Sequence, residues 1–470
     1  MRALAFLTVL SVARGYFYQD HAVNHPMRCP LDDPRWPKLF DAVQHSSSLI
    51  PQGRLFEART SLSDAITDAM TDLNSAFNCS IGISSAFRVL ALTFAADNSL
   101  ASSNPRGFRR ANQIALRLQH VAMNWLTHAF VIKGENDGRW IDESSWPLTI
   151  QEINAEQTAI QSRILASGPY GHSPTWPDCP YDYRDRSLKI AIVTMCDYPP
   201  GDVLPKYSLS NKELYSKRWG YPVIAENHRM DTSRPHAWSK MKLMEKHIER
   251  AEHDWLLWFD CDTFFMNFNV TLDHVLYSFA SRKVSVQSAE YALDPSVHMI
   301  IQEDHAMLNT GVFFIRTSSW ALDLVRRVYG DSSSPWVNHP WWENAAFSHE
   351  FLGRNHRKFK DDDLNRYAHD LSDSSIESAD MQDIYGPHVI VTPQVVFNSY
   401  HPITSRVFQH DTWEPGKFVL AFSGCTSGSS KTVAQHIYGE YYREMCELNG
   451  VVDQCLEVEE LGIHPWSDRR

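Results

Sequence analysis

Apolar positions recur at helical spacing through the first third of the chain. Between Ser61 and Phe77 they fall at Leu62, Ala65, Ile66, Ala69, Met70, Leu73 and Phe77, lining one face of a helix whose first turn Ser61 and Asp64 can cap. The period continues from Phe108 to Ile132 through Ile114, Leu118, Val121 and Trp125. Thr149-x-x-Glu152 has the form of a capping box and opens a third helix through Ile153, Ile160 and Ile164. These stripes read as helix-packing faces. Ser167 to Arg186, dense in Pro, Gly and Tyr, breaks the pattern and marks a boundary.

Beyond that boundary the period changes. Lys189 to Thr194 is a continuous apolar run, as a strand buried on both faces requires. A helix follows, opened by Ser210-x-x-Glu213 and stopped by Gly220. Pro222 to Ala225 reads as a second strand, Trp238 to His253 as a helix and Trp255 to Phe259 (WLLWF) as a third strand. Alternating β and α elements imply a largely parallel sheet, whose ligands bind beyond the carboxyl ends of its strands.

Length and composition narrow the class. The 470 residues allow two or three domains at ~150 residues each. With 44 Lys+Arg against 56 Asp+Glu the net charge is −12, which argues against a nucleic-acid partner. The chain is rich in large aromatics, 15 Trp, 18 Tyr and 23 Phe, a composition that suits stacking on sugars but equally suits an aromatic core. Ala3 to Ala13, after Met1-Arg2, is too short to span a bilayer comfortably; small residues at Ser11, Ala13 and Gly15 make a cleaved signal the better reading and a short membrane anchor the rival. Two sequons, at Asn78 and Asn269, fit a secretory route. The eight cysteines include no C-x-x-C pair, against a zinc site, and their even number permits disulfides.

The chemistry concentrates after the third strand. Asp260-Cys261-Asp262 sets two carboxylates one residue apart at a strand end, where both can face one hard cation such as Mn²⁺ or Mg²⁺. Such an ion neutralises charge developing on a departing diphosphate. Alone, the pair equally reads as turn-capping Asp residues.

Several segments in order, NKELYSKRWGY (211–221), Trp238-Ser239-Lys240, DWLLWFDCDTFFMN (254–267), LNTGVFFIRTSSW (308–320), PWWENA (340–345), FNSY (397–400) and AFSGC (421–425), resemble the α-glycosyltransferase family of fungal Golgi galactosyl- and mannosyltransferases and plant xyloglucan xylosyltransferases, glycosyltransferase family 34. The resemblance covers roughly Ser187 to Cys425. It implies a GT-A fold, an α/β architecture with a Rossmann-like, mainly parallel mixed sheet beside an N-terminal helical region. The expected division is a signal at 1–15, a helical region at 16–166, a linker at 167–186, the GT-A domain at 187–430 and an extension at 431–470.

Sugar transfer with retention follows from the resemblance, from a nucleotide-diphosphate sugar to a glycan or glycoconjugate, in the Golgi lumen. Asp260 and Asp262 take the metal role in this reading. Thr194, Trp238, Lys240, Asn309, Thr310, Gly311 and Gly424 fall among the donor-binding residues, and Glu343 and Asn344 are the pair that stabilises charge at the anomeric carbon. Two positions depart from the family. Ala421 stands where the family has a His metal ligand, and Thr426 where the plant branch has Lys. His401 and His410 are candidates to compensate. The rival class is a non-catalytic homologue that binds glycans or acts as a scaffold; a weaker third is a glycoside hydrolase with two carboxyl groups across a cleft.

Overall fold

A computed structural model describes residues 33–73, 76, 79–97, 104–131, 148–166, 174–304, 307–332, 334–359, 384–402, 404–405, 411–425 and 431–458. The expected signal and the Asn78 sequon lie outside these residues. The chain divides into two compact units, one of residues 1–170 and 331–372, the other of 171–330 and 373–470. Residues 331–372, expected to continue the 187–430 domain, thus belong to the helical unit, and the extension expected from 431 belongs to the sheet unit.

The helical unit contains α1 (Arg35–Leu49), α2 (Leu55–Ala69), α3 (Ser80–Ala95), α4 (Pro105–Val131) and α5 (Leu148–Ala166). The helix expected from Ser61 starts earlier, at Leu55, because Gly53 at φ 73° closes the turn before it and leaves Ser61 and Asp64 in the interior. Pro105 opens α4, where a missing N–H costs nothing, and the Asn104 side chain accepts the Gly107 amide at 2.8 Å. The Ser84 hydroxyl bridges α3 to α4 by donating to the Ala122 carbonyl at 2.7 Å. Arg88 of α3 pairs with Glu152 and Glu156 of α5 at 3.0 and 2.7 Å.

The sheet unit has a six-stranded sheet in the order β2-β1-β3-β8-β7-β9, formed by β1 (Ile190–Met195), β2 (Val223–Glu226), β3 (Trp255–Phe259), β7 (Met299–Glu303), β8 (Leu308–Arg316) and β9 (Val389–Thr392). Only β8 runs against its neighbours; the other pairings are parallel. This is the mainly parallel α/β sheet that the alternating pattern implies. A small sheet joins β4 (Thr263–Phe265) to β11 (Val419–Ala421) and β10 (Ser399–Tyr400), and β5 (Ser281–Lys283) pairs with β6 (Tyr291–Leu293).

Helices α6 (Leu204–Trp219), α7 (Ser239–Arg250), α8 (Leu272–Ala280), α9 (Ser319–Tyr329) and α10 (Lys431–Leu448) complete the unit. Gly220 at φ 80° ends α6 as expected, whereas its start lies at Leu204, with Pro205 in the first turn, rather than at Ser210. All five residues of WLLWF are buried. Helix α10 seals the core, its Tyr442 ring stacked on Tyr207 at 4.8 Å and its hydroxyl 2.6 Å from Ser210.

Candidate active site

The carboxyl end of β3 runs straight into Asp260, whose backbone N–H donates to the Gly311 carbonyl of β8 at 2.9 Å. Antiparallel pairing of β3 with β8 therefore sets the end of the Leu308–Gly311 segment against the Asp-x-Asp loop. The loop is fixed from three further sides. Thr263 donates its hydroxyl to the Asp260 carbonyl at 2.5 Å, and Phe422 donates its amide to the Asp262 carbonyl at 2.8 Å. Cys261, between the two carboxylates, is disulfide-bonded to Cys196 at the end of β1.

The polar atoms here are charged and mutually engaged. Asp260 Oδ1 accepts Trp258 Nε1 at 2.6 Å and pairs with Lys240 Nζ at 3.3 Å. Lys240, almost wholly buried, also donates to the Thr310 carbonyl at 2.8 Å. Beneath the loop, fully buried Lys212 donates to the Ser208 hydroxyl at 2.6 Å and the Thr263 carbonyl at 3.0 Å. Burial pulls its ammonium down to about 7, against the opposing charges of Asp262 and Asp260. Part of Asp262 reaches the surface, but burial of its carboxyl, and then the neighbouring Asp260 charge, push it up to about 7 in spite of Lys212 and Lys240.

Gly311 is required by space. A Cβ there would meet Asn309 Oδ1 at 2.9 Å and Asp260 Oδ2 at 3.3 Å. Asn309 Oδ1 accepts the Gly311 amide at 2.8 Å, which folds the side chain back over the backbone that faces Asp260.

Lys240, Asp260, Asn309, Thr310 and Gly311 thus come together at one strand end. Ala421 sits beside them: it is the Cα partner of Thr263 across β4 and β11. Gly424, at φ 76°, lies in the turn closed by the Cys425 amide on the Phe422 carbonyl at 2.9 Å. Thr194 is the last residue but one of β1, its hydroxyl buried and without a hydrogen-bond partner. Trp238 has no exposed surface; the Arg234 guanidinium lies 5.4 Å from its ring and Tyr329 meets it edge-on. His401 is buried between Phe422 and Tyr441, while His410 and Thr426 lie outside the described residues. Glu343 and Asn344 belong to the helical unit, on the helix Trp342–Ser348, and Glu343 is buried there.

The donor set suits a hard divalent cation. Two carboxylates converge on one loop, one of them raised by its neighbour's charge, and a bound cation relieves that repulsion. Among the described residues no cluster of three or more His, Cys, Asp or Glu side chains is placed to hold a metal. Sequence reading missed Lys212, Tyr400 and Asp304. Lys212 lies inside the 211–221 segment but carries no spacing signal, and Asp304 precedes the LNTG segment as one of two adjacent acids.

Residues 187–432, about half the chain, match the galactosyl transferase GMA12/MNN10 family. An uncharacterized alpha-1,2-galactosyltransferase of Schizosaccharomyces pombe is 24% identical over 44% of this chain and 63% of its own length. A probable xyloglucan 6-xylosyltransferase of Arabidopsis thaliana is 24% identical over 28% of this chain and 27% of its own. The chain therefore spans less than two thirds of either relative. A solved glycosyltransferase involved in the glycosylation of the major capsid of PBCV-1 aligns over 55% of this chain and 98% of that one at 15% identity, with a TM-score of 0.34, too low to bear on function.

Proposed function

This chain belongs to the galactosyl transferase GMA12/MNN10 family, and from that premise we propose that it is a retaining glycosyltransferase, moving a hexose or pentose from a nucleotide-diphosphate sugar to a hydroxyl of a glycan or glycoconjugate. The observation that carries the reading is the corner formed by Asp260, Lys240, Thr310 and Gly311, where carboxylates and a buried ammonium meet at a strand end.

In the reaction the C1–O bond to the diphosphate breaks, the acceptor oxygen bonds to C1 from the same face, and the acceptor proton leaves to the departing diphosphate. Lys240 pairs with Asp260, and in this reading its positive charge would stabilise that leaving group. Asp260 and Asp262 would hold Mn²⁺ or Mg²⁺, which when bound neutralises charge on the diphosphate. Glu343 and Asn344 are assigned to the anomeric centre on the family motif alone.

The Cys196–Cys261 and Cys446–Cys455 disulfides support folding in an oxidising compartment, in keeping with the secretory pathway and the Golgi lumen. Among the described residues no helix is long and apolar enough to cross a membrane. Ala421, in place of a metal ligand, favours the second reading, a non-catalytic glycan-binding homologue.

One screen decides between them. Thermal shift of the full chain with UDP- and GDP-sugars, with and without Mn²⁺, should show ion-dependent stabilisation by one nucleotide class, rising as RT ln(1 + [L]/Kd). No shift with any nucleotide sugar would leave the non-catalytic reading standing.

A further inference from the structure

The middle residue of the Asp-x-Asp loop carries a covalent bond to another strand. Cys261 is joined to Cys196, the first residue past β1, with 5.2 Å between their Cα atoms, close to the ~4.8 Å spacing of neighbouring strands. Strands β1 and β3 pair in parallel from Ile190 with Trp255 to Val193 with Trp258. Cys196 and Cys261, 65 residues apart, continue that register, so the disulfide is a covalent rung placed just past the end of the backbone ladder. The carboxylates begin where the ladder stops.

The loop itself is a turn, closed by the Thr263 amide on the Asp260 carbonyl at 3.3 Å. Its four residues alternate in role. Asp260 and Asp262 carry the carboxylates, while Cys261 and Thr263 carry anchors, the first through sulfur and the second through a carbonyl that accepts Lys212 Nζ at 3.0 Å. The two anchors meet beneath the turn, for Lys212 also donates to Ser208 Oγ at 2.6 Å, and that oxygen lies 3.8 Å from Cys196 Sγ. Cys196 in turn donates its amide to the Glu226 carbonyl at the end of β2 at 2.8 Å. Both cysteines are almost wholly buried.

Only the torsions of residue 261 and of the bonds flanking it separate the two carboxylate-bearing Cα atoms, so whatever holds residue 261 holds their spacing. A hard divalent ion accepts oxygen ligands within a narrow range of distance, and a small change of spacing therefore costs affinity. We propose that the Cys196–Cys261 disulfide is a positioning element for the ion, the Asp-x-Asp loop gaining its binding geometry only once this crosslink has formed. This rests on the reading above in which Asp260 and Asp262 hold Mn²⁺ or Mg²⁺. The bond forms by exchange with a dithiol–disulfide carrier of the secretory route: the two thiols give up two protons and two electrons as the sulfurs join, and the carrier's disulfide is reduced to two thiols. A chain kept in reducing surroundings retains its backbone ladder and binds the ion weakly.

Mn²⁺ titration of the full-length chain, read from the paramagnetic resonance of the free ion with and without UDP or GDP, tests this. Cys196→Ser/Cys261→Ser should bind Mn²⁺ roughly tenfold to a hundredfold more weakly, the loss expected when the support of a metal ligand is removed, while Cys446→Ser/Cys455→Ser, which deletes the disulfide at the end of α10, should stay within about twofold of wild type. Titration well below the unfolding temperature of each variant keeps a lowered melting point from altering the result. If Cys196→Ser/Cys261→Ser does not fold, the Cys446→Ser/Cys455→Ser chain, reduced after folding and freed of reductant, gives the reading. Its Mn²⁺ affinity should fall on reduction and return on re-oxidation, in step with the re-formed Cys196–Cys261 pair seen by peptide mapping. Equal weakening in the two double variants, or affinity that is unchanged by loss of the crosslink or not restored with it, overturns the proposal. A wild-type chain that binds no Mn²⁺ even with UDP or GDP overturns the ion reading itself, and this inference with it.

Discussion

Along α4 of the helical unit, Asn112, Gln119, His120 and Asn124 are buried at separate points, whereas the sheet unit gathers Lys212, Lys240, Asp260 and Asp262 around a single strand end. Gln119 donates to Glu156 at 2.7 Å and Asn112 to the Phe108 carbonyl at 2.8 Å, and Arg106, Arg110 and Arg117 of the same helix are buried with them. His339 accepts the Trp341 amide at its Nδ1 and lies 3.0 Å from the Asn124 carbonyl at its Nε2, which specifies one neutral tautomer. His356 lies within hydrogen-bond distance of the Gly353 and Ser63 carbonyls. In the sheet unit the groups are ions that lie near one another and also bond backbone and hydroxyl oxygens, and Asp262 keeps part of its surface open. What sets the sheet unit apart is that its charges gather at one partly exposed strand end.

Removing one of the two carboxylates tests that distinction most severely. Asp260→Asn or Asp262→Asn should lower sugar transfer by about a thousandfold, the several kcal/mol of charge stabilisation an ion supplies. Thermal unfolding should change little, because both residues lie at a strand end outside the apolar core. Near-normal transfer in both variants would show that the sheet unit's charge cluster is structural after all.

A smaller loss is expected from Gly311→Ala. The added methyl has backbone-anchored Asn309 on one side and Asp260 on the other, so the strand must shift by a few tenths of an ångström and the carboxylate with it. Misplacement of this kind costs up to about a hundredfold in rate. A fall in kcat/KM with an unchanged melting temperature supports the reading; full activity would mean that the approach of Gly311 to Asp260 is incidental.

Much of this was legible in the chain, and the reason is local. WLLWF, the 189–194 run and Gly220 announce themselves because their burial or turn geometry is set within a few residues. Helix α3 showed no stripe because it is apolar around most of its circumference, twelve of its residues being buried. The return of 331–372 to the helical unit is a tertiary event that periodicity cannot carry. At the site, the Asp-x-Asp pair, Lys240 and the Asn309–Gly311 segment stood out as motifs. Asp304 lay in no motif and Tyr400, within the FNSY segment, was given no role, since their contact joins residues 96 apart in sequence. Trp238, expected among the donor-binding residues, has no exposed surface.

Acid should strike the helical unit first. Burial lowers His349 to about 3 and His339 to about 4. Both folded values lie below the ordinary 6.5, so the unfolded chain binds more protons once the pH drops below 6.5. The stability these rings contribute is complete above that value and is lost as the pH falls toward 4 and then 3. At pH 5 the loss is about 2 kcal/mol for each histidine. Protection against hydrogen exchange along α4, corrected for the intrinsic rate at each pH, should fall before that of β3 between pH 7 and pH 5. His349→Phe should remove part of the dependence; equal acid sensitivity in both variants would mean that the buried imidazoles do not set it.

The smallest effect bears on the position that departs from the family. Ala421 is buried beside Thr263, one residue past Asp262, and its neighbour Phe422 is bonded to the Asp262 carbonyl. That register sets residue 421 against the loop, where a side chain longer than methyl could approach the carboxylates. If Asp260 and Asp262 alone hold the proposed ion, affinity for Mn²⁺ should be weak and depend on the diphosphate. Ala421→His adds an imidazole, a better ligand for first-row transition metals than for Mg²⁺. We expect Mn²⁺ to bind about tenfold more tightly, roughly 1.4 kcal/mol, with a smaller gain for Mg²⁺ and no loss of nucleotide affinity. Since Ala421 has no free surface, the ring must find room toward the loop. If titration shows weaker Mn²⁺ binding or lost nucleotide affinity, the corner is already filled at that point, and the two carboxylates work without a third ligand by design of the surrounding lysines.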